Sequence, residues 1–209
     1  IIQSDGVSKY KVILDKYFKY PEGIYKKLSK LRDKVSNSYE DFKKLSKRIK
    51  SLEKEITLFH AKAVNKIVKD SKVNIDFIGF HGQTIFHSPY RKISKQLADG
   101  KLLSKLTKKT VVYNFRENDL KNGGEGAPLT PIFHKLLADK MKISLPVIFL
   151  NIGGIANITY IPPEDRENSE IVARDIGPGN CLIDQWLKKK SKYKYDKGGK
   201  LAKSGKINW

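Results

Sequence analysis

A single cysteine, Cys181, among 209 residues removes several kinds of protein at once. One thiol cannot close an internal disulfide, so a disulfide-stapled secreted scaffold is excluded and a reducing compartment suits the chain. Zinc spacing is absent, and His81 and His87 stand without a nearby cysteine or carboxylate cluster, so no metal ligand is assigned. No apolar run approaches the roughly 20 residues that span a bilayer. The opening residues, Ile1-Ile-Gln-Ser-Asp5, lack the basic and apolar regions of a signal peptide, and no membrane partner is expected. Acidic residues are also scarce: 22 Asp and Glu stand against 42 Lys and Arg, for a net charge of +20. Arginine is scarce within that excess, occurring only at 32, 48, 91, 116, 166 and 174. Base readout and bidentate phosphate contacts favour arginine, and the lysines are scattered along the chain. A lysine-rich solvated surface is therefore the simpler reading, and no nucleic-acid partner is expected. A basic module for anionic polymers stays open as an alternative.

What is present is enough for a core: 39% of residues are hydrophobic, and the length suits one large domain or one and a half smaller ones. Ile1–Ser4, Asp5-Gly6 and the alternating Lys11–Tyr20 predict a hairpin. Past Pro21, the residues Ile24, Leu28 and Leu31 predict a short helix. Ser38-Tyr-Glu-Asp41 has the spacing of a capping box. Apolar residues then recur at 39, 42, 45, 49, 52, 56, 59, 63 and 67, which predicts one long amphipathic helix of about 45 Å. A coiled coil is a further option for that helix. Val73–Phe80, Thr110–Tyr113 and Val147–Leu150 read as buried strands, residues 93–97 as a short one, and Leu102–Leu106 as a helical turn. Strands at 155–161 and 170–174 flank a polar hairpin over Pro162–Ser169. A helix is predicted over Cys181–Leu187, with loop over Lys188–Lys200.

The chemistry-bearing stretch is Asn114-Phe-Arg-Glu-Asn-Asp-Leu-Lys-Asn-Gly-Gly-Glu-Gly-Ala-Pro128. It follows a strand, and ligands of open α/β sheets sit at the carboxyl ends of strands. Arg116 and Asp119 stand three residues apart before a glycine-rich turn that lets backbone approach a ligand. Pro128 suits the first turn of a following helix. On local pattern alone, an ordinary strand–turn–helix corner with a solvated ion pair explains it equally well.

Three more stretches change that balance: Gly79-Phe-His-Gly-Gln-Thr-Ile-Phe-His-Ser-Pro89, Asn151-Ile-Gly-Gly-Ile-Ala-Asn-Ile-Thr159 and Asp175-Ile-Gly-Pro-Gly-Asn180. With Phe115-Arg116, Asp119 and Gly123–Leu129 they resemble, in order and over residues 75 to 186, the anhydro-N-acetylmuramic acid kinase family. The resemblance implies an α/β fold of the actin/hexokinase (ribonuclease H-like) type with a duplicated domain. Residues 1–144 would form a nearly complete first domain, and residues 145–209 the start of a truncated second. The phosphate loop expected before Ile1 is missing, Met141 is the only methionine, and the chain reads as a fragment.

The resemblance further implies ATP-dependent opening and phosphorylation of 1,6-anhydro-N-acetylmuramic acid during cell-wall recycling in the bacterial cytoplasm, with ATP and Mg2+ as cofactors. Asp119 would be the catalytic base, with Arg116, Gln83 and Thr84 binding the sugar. Gly153, Gly154, Gly179 and Asn180 would meet the nucleotide phosphates. Another actin-like sugar kinase or ATPase is the nearest alternative, and a homodimer is allowed. Three positions depart from the family pattern: Asn114 for Asp, Glu125 for Gln and Ile176 for Thr.

Overall fold

The computed structural model describes residues 1–35, 39–164 and 170–206, with backbone alone for residues 39–41. The first elements are β1 (Ile2–Ser4) and β2 (Tyr10–Val12), an antiparallel pair. Their turn is longer than the Asp-Gly pattern predicts, because Asp5 organises it. Its carboxylate accepts from the N–H groups of Lys9, Val7 and Ser8, and these bonds hold the carboxyl well below the usual range.

Next come α1 (Glu22–Val35), α2 (Tyr39–Lys44) and α3 (Ser46–Ser71). Helix α1 is 14 residues long, a fuller element than the short helix expected. The single helix predicted across residues 39–67 is instead two. The break falls at Leu45, whose φ and ψ are −92° and 5°, and both Phe42 and Leu45 turn inward onto the core. The capping box begins at Ser38, outside the described residues.

Helix α3 carries the core of the first unit. Its Ile49, Leu52 and Ile56 pack with Leu28, Leu31 and Val35 of α1. The same cluster takes Ile85 from β4 (Gln83–Ser88) and Leu97 from β5 (Ile93–Leu97), an antiparallel pair. Each such side chain contributes about 1.5–3 kcal/mol on burial. One end further, Ala61 of α3 packs with Phe80 of β3 (Phe77–Phe80) and Leu103 of α4 (Gly100–Thr107). Polar groups of α3 position the β5–α4 turn as well. Glu53 accepts from Lys95 Nζ at 2.7 Å and from the Ala98 N–H at 3.2 Å, and the buried Thr57 hydroxyl accepts from the Asp99 N–H.

Strand β3 pairs in parallel with β6 (Thr110–Tyr113), Phe80 opposite Tyr113, so their carboxyl ends lie side by side. The run from Val73 becomes extended only at Phe77. Beyond β6 a seven-residue helix, α5 (Phe115–Lys121), precedes the glycine-rich turn.

By its contacts the chain divides into Ile1–Ala127 and Pro128–Trp209. The second unit opens with α6 (Pro131–Met141), which takes Pro131 rather than Pro128 into its first turn. Its antiparallel sheet runs β7 (Val147–Ile152), β8 (Ile155–Ile161), β9 (Val172–Pro178). Helix α6, placed with the first domain on sequence, packs on this sheet. His134 stacks on Phe149 with centroids 4.9 Å apart and bonds the buried Thr159 hydroxyl. The alternate residues Ile148, Leu150 and Ile152 of β7 are exposed. Helices α7 (Cys181–Lys190) and α8 (Lys200–Ser204) follow, so part of the loop expected over Lys188–Lys200 is helical. The polar hairpin expected over Pro162–Ser169 falls largely outside the described residues.

In the first unit His60 lies among the rings of Tyr20, Phe59 and Phe80, and this burial lowers its pKa from the ordinary 6.5. Gln83 donates to the Tyr20 oxygen, which leaves the Tyr20 hydroxyl proton to donate to His60 Nε2 at 2.7 Å. With its pKa lowered in the fold, the unfolded chain takes the proton first as the pH falls. This stabilisation is complete above about 6.5 and is lost as the pH drops through the folded value. Urea unfolding near pH 7 and near pH 5 measures it. His60→Gln, which keeps an acceptor for Tyr20 but cannot titrate, is expected to flatten the dependence.

Candidate active site

The carboxyl ends of β3 and β6 carry His81 and Asn114 as their next residues. Asn114 adopts the left-handed conformation, φ 63°, which asparagine tolerates better than most residues. That turn starts α5 and sets Arg116 and Asp119 on neighbouring positions of one helical face. Arg116 donates from Nε to His81 Nε2 at 3.1 Å and from Nη1 to the Gly126 carbonyl at 3.2 Å. Arginine can only donate, so His81 Nε2 is the acceptor and Nδ1 carries the proton toward the Gly82 carbonyl. His81 is thereby a hydrogen-bonding residue of this corner.

Asp119 completes the arrangement from the other side of the same residue. Its Oδ2 accepts the Gly126 N–H at 2.6 Å, while Arg116 holds the Gly126 carbonyl. Gly126 is buried between them, whereas Asp119 is exposed. Among the described residues nothing else bonds the carboxylate, which keeps one oxygen for an incoming proton donor. The loop returns so closely that a Cβ on Gly124 would come within 2.2 Å of Asp119 Oδ2. Only glycine admits this approach. The sequence shows the glycines, but not that Gly124 and Gly126 are the seat of the carboxylate.

Gln83 and Thr84, the expected sugar contacts, are in the same unit but tied inward. Gln83 Nε2 donates to Tyr20, and Thr84 Oγ1 accepts from Gln96 Nε2 at 3.3 Å. Oε1 and the second amide proton of Gln83, and the hydroxyl proton of Thr84, are what they retain for a ligand. Asn114 and Glu117 bond one another, and Glu117 also pairs with Lys121.

The remaining expected residues belong to the second unit. Gly153 and Gly154 form the tip between β7 and β8. A Cβ on Gly154 would meet nothing within 4 Å, so the space beside it is open. Gly179 is the constrained one, since its Cβ would fall 2.3 Å from the Gly153 carbonyl oxygen. The N–H groups of Gly179 and Cys181 donate to the Gly154 carbonyl, and that of Asn180 to the Gly153 carbonyl. Asn180 Nδ2 donates to the Ile152 carbonyl. The start of α7 is thus satisfied by the glycine tip. Asp175 to Pro178, expected to lead straight into that helix, lie in β9. No group of three or more histidine, cysteine or carboxylate side chains that could hold a metal occurs among the described residues. None of the described helices is long and apolar enough to cross a membrane.

A parallel strand pair ending in a seated carboxylate, with a glycine-tipped antiparallel hairpin in a second unit, makes this a mixed α/β protein, consistent with the actin/hexokinase-like kind. The family model for anhydro-N-acetylmuramic acid kinase matches residues 2–209. The chain is 54% identical over 208 residues to anhydro-N-acetylmuramic acid kinase of Pelagibacter ubique (strain HTCC1062), covering 100% of this chain and 55% of that protein. It is 42% identical over 165 residues to the Brucella canis enzyme of the same name, with 77% of this chain and 43% of the relative covered. The Agrobacterium fabrum (strain C58 / ATCC 33970) protein of that name is 37% identical over 215 residues, covering 99% of this chain and 56% of the relative. The chain belongs to the anhydro-N-acetylmuramic acid kinase family, and it spans about half the length of these relatives.

Gly124→Ala is expected to displace the Asp119 carboxylate and release the Gly126 N–H, at a cost of about 1–3 kcal/mol in urea unfolding. Amide exchange at Gly126 would speed up in the same variant. Gly23→Ala, where a Cβ meets nothing within 4 Å, serves as the control and should not lower the midpoint.

Proposed function

We propose that the protein carrying this chain uses ATP to convert 1,6-anhydro-N-acetylmuramic acid into N-acetylmuramic acid 6-phosphate, in the recycling of cell-wall sugar in the bacterial cytoplasm. The observation that carries this reading is the seated carboxylate of Asp119. It stands at the carboxyl ends of two parallel strands, one oxygen bonded to the Gly126 N–H and the other left for a proton. Membership of the family supplies the sugar and the nucleotide as the substrate pair.

In this reading Asp119 accepts a proton from a water as the water oxygen bonds to the anomeric carbon. The bond from that carbon to O6 breaks, and O6 takes the γ-phosphoryl group, leaving ADP; the proton on Asp119 then passes to solvent. Arg116 holds the loop that seats Asp119 and presents positive charge to the sugar. Gln83 and Thr84 offer the sugar their remaining acceptor and hydroxyl proton. Bound ATP with Mg2+ supplies the phosphoryl group and offsets its charge. On the nucleotide side, the open space at Gly154 fits close approach of a phosphate to the Gly153–Gly154 backbone. Gly179 and Asn180 act in this proposal by holding that tip, because their N–H groups already donate to its carbonyls. The first unit, Ile1–Ala127, would carry the sugar chemistry and the second, Pro128–Trp209, the phosphate tip.

ADP release by the full-length protein, measured with the anhydro sugar, with glucose and with no sugar, tests the reading. Turnover indifferent to the anhydro sugar would sink it, and stimulation by glucose alone would assign a different sugar kinase. Asp119→Asn keeps the shape of the side chain and removes the base, so kcat should fall about 10²–10⁴-fold while ATP affinity stays unchanged. Wild-type kcat in that variant would remove Asp119 from the mechanism. Gly154→Val should leave thermal stability intact, because among the described residues a Cβ there meets nothing within 4 Å, yet weaken ATP more than sugar. Calorimetry with each ligand separately reads the difference, and equal losses would dissociate Gly154 from the nucleotide.

A further inference from the structure

Helices α1 and α3 enclose a groove of about 330 Å³ that shares no residue with the Asp119 corner. Its floor is apolar. Leu31 and Leu52, both nearly fully buried, line it together with Leu45. Ser51 of α3, a small side chain, is also among the lining residues. Its rim is cationic: Lys27, Lys30 and Lys34 recur along one face of α1, and Arg48 faces them from α3. Glu55 is the one carboxylate among the described lining residues, and it is taken by Lys27, whose Nζ lies 2.7 and 2.9 Å from its two oxygens. Lys30, Lys34 and Arg48 pair with no carboxylate among the described residues.

Exposed lysines are ordinary in a chain of net charge +20. Three unpaired cations around a concave apolar floor are not, and the volume is that of small-molecule sites. The stems of these side chains extend the apolar wall while their heads stay at the rim. A second copy of this chain would bring like charge to like charge, so the surface does not complement itself. We propose that this groove binds a free acyl anion, a carboxylate head carried on a medium-length alkyl chain. The head sits among Lys30, Lys34 and Arg48, and the tail lies over Leu31, Leu45 and Leu52.

Calorimetry on the full-length protein with decanoate as the probe tests this. Decanoate should bind one to one, and octanoate should bind more weakly by roughly fourfold for each methylene removed. Acetate carries the charge alone and decyltrimethylammonium the tail with the wrong charge; neither should bind. Ser51→Phe fills the groove without changing charge and should abolish binding. Combining Lys30→Glu, Lys34→Glu and Arg48→Glu should weaken decanoate about tenfold or more. The same charge change at Lys188, Lys189 and Lys190, on α7, should not. The proposal is overturned if decyltrimethylammonium or acetate binds as tightly as decanoate, or if Ser51→Phe binds like wild type. Equal weakening by the α7 triple variant would overturn it too, since that reports net charge alone. Association with phosphatidylglycerol vesicles without binding of decanoate would reassign the surface to a membrane.

Discussion

Helix α3 has to bury an apolar stripe along most of its length, and the first unit is arranged to meet that requirement. Its middle turns close one cluster with α1, β4 and β5, and Ala61 enters a second with β3 and α4. Loss of the first partner set would leave Ile56, fully buried, against water. Nonspecific burial alone would not fix where the strands end. That is done by Glu53 and Thr57, polar groups on the same helix that bond the backbone of residues 98 and 99. Hydrophobic area supplies the energy, and a few directed hydrogen bonds set the register.

From that scaffold the candidate site follows by short steps. Parallel pairing of β3 and β6 places His81 beside the start of α5. The left-handed Asn114 turns the chain, and Arg116 and Asp119 then grip the two polar groups of one residue, Gly126. A carboxylate exposed to solvent yet anchored through one oxygen costs little reorganisation when it accepts a proton. Asn at position 114 suits this geometry, because asparagine tolerates the left-handed region the corner needs. In the second unit, the glycine tip is built the opposite way, with its carbonyls spent on the start of α7 and the space at Gly154 left open.

Much of this was legible in the chain. Runs such as Thr110–Tyr113 and Val147–Leu150 are β-branched and apolar, and they do form strands, but the burial expected of them does not follow: none of their residues is buried. The family pattern, spread over four separate stretches, was likewise visible without coordinates. Three things were not. The apolar period runs unbroken through Leu45, so nothing local marks the break between α2 and α3. Phe115–Lys121 carries three charged residues in its first five, and its helix depends on Gly126, reached only through the folded loop. The amide groups at residues 179–181 look free in the sequence, and only the folded hairpin supplies the carbonyls that occupy them.

By itself, then, the sequence determined the α/β class, the family, the strand-end position of Asp119 and the excess of lysine, because these rest on residue type and near-neighbour spacing. The tertiary structure alone decided which oxygen of Asp119 is anchored, which glycine cannot bear a side chain, and where lysines surround an apolar hollow. Each of those depends on groups far apart in the chain meeting within a few ångströms, and the residue pattern carries no distance between them.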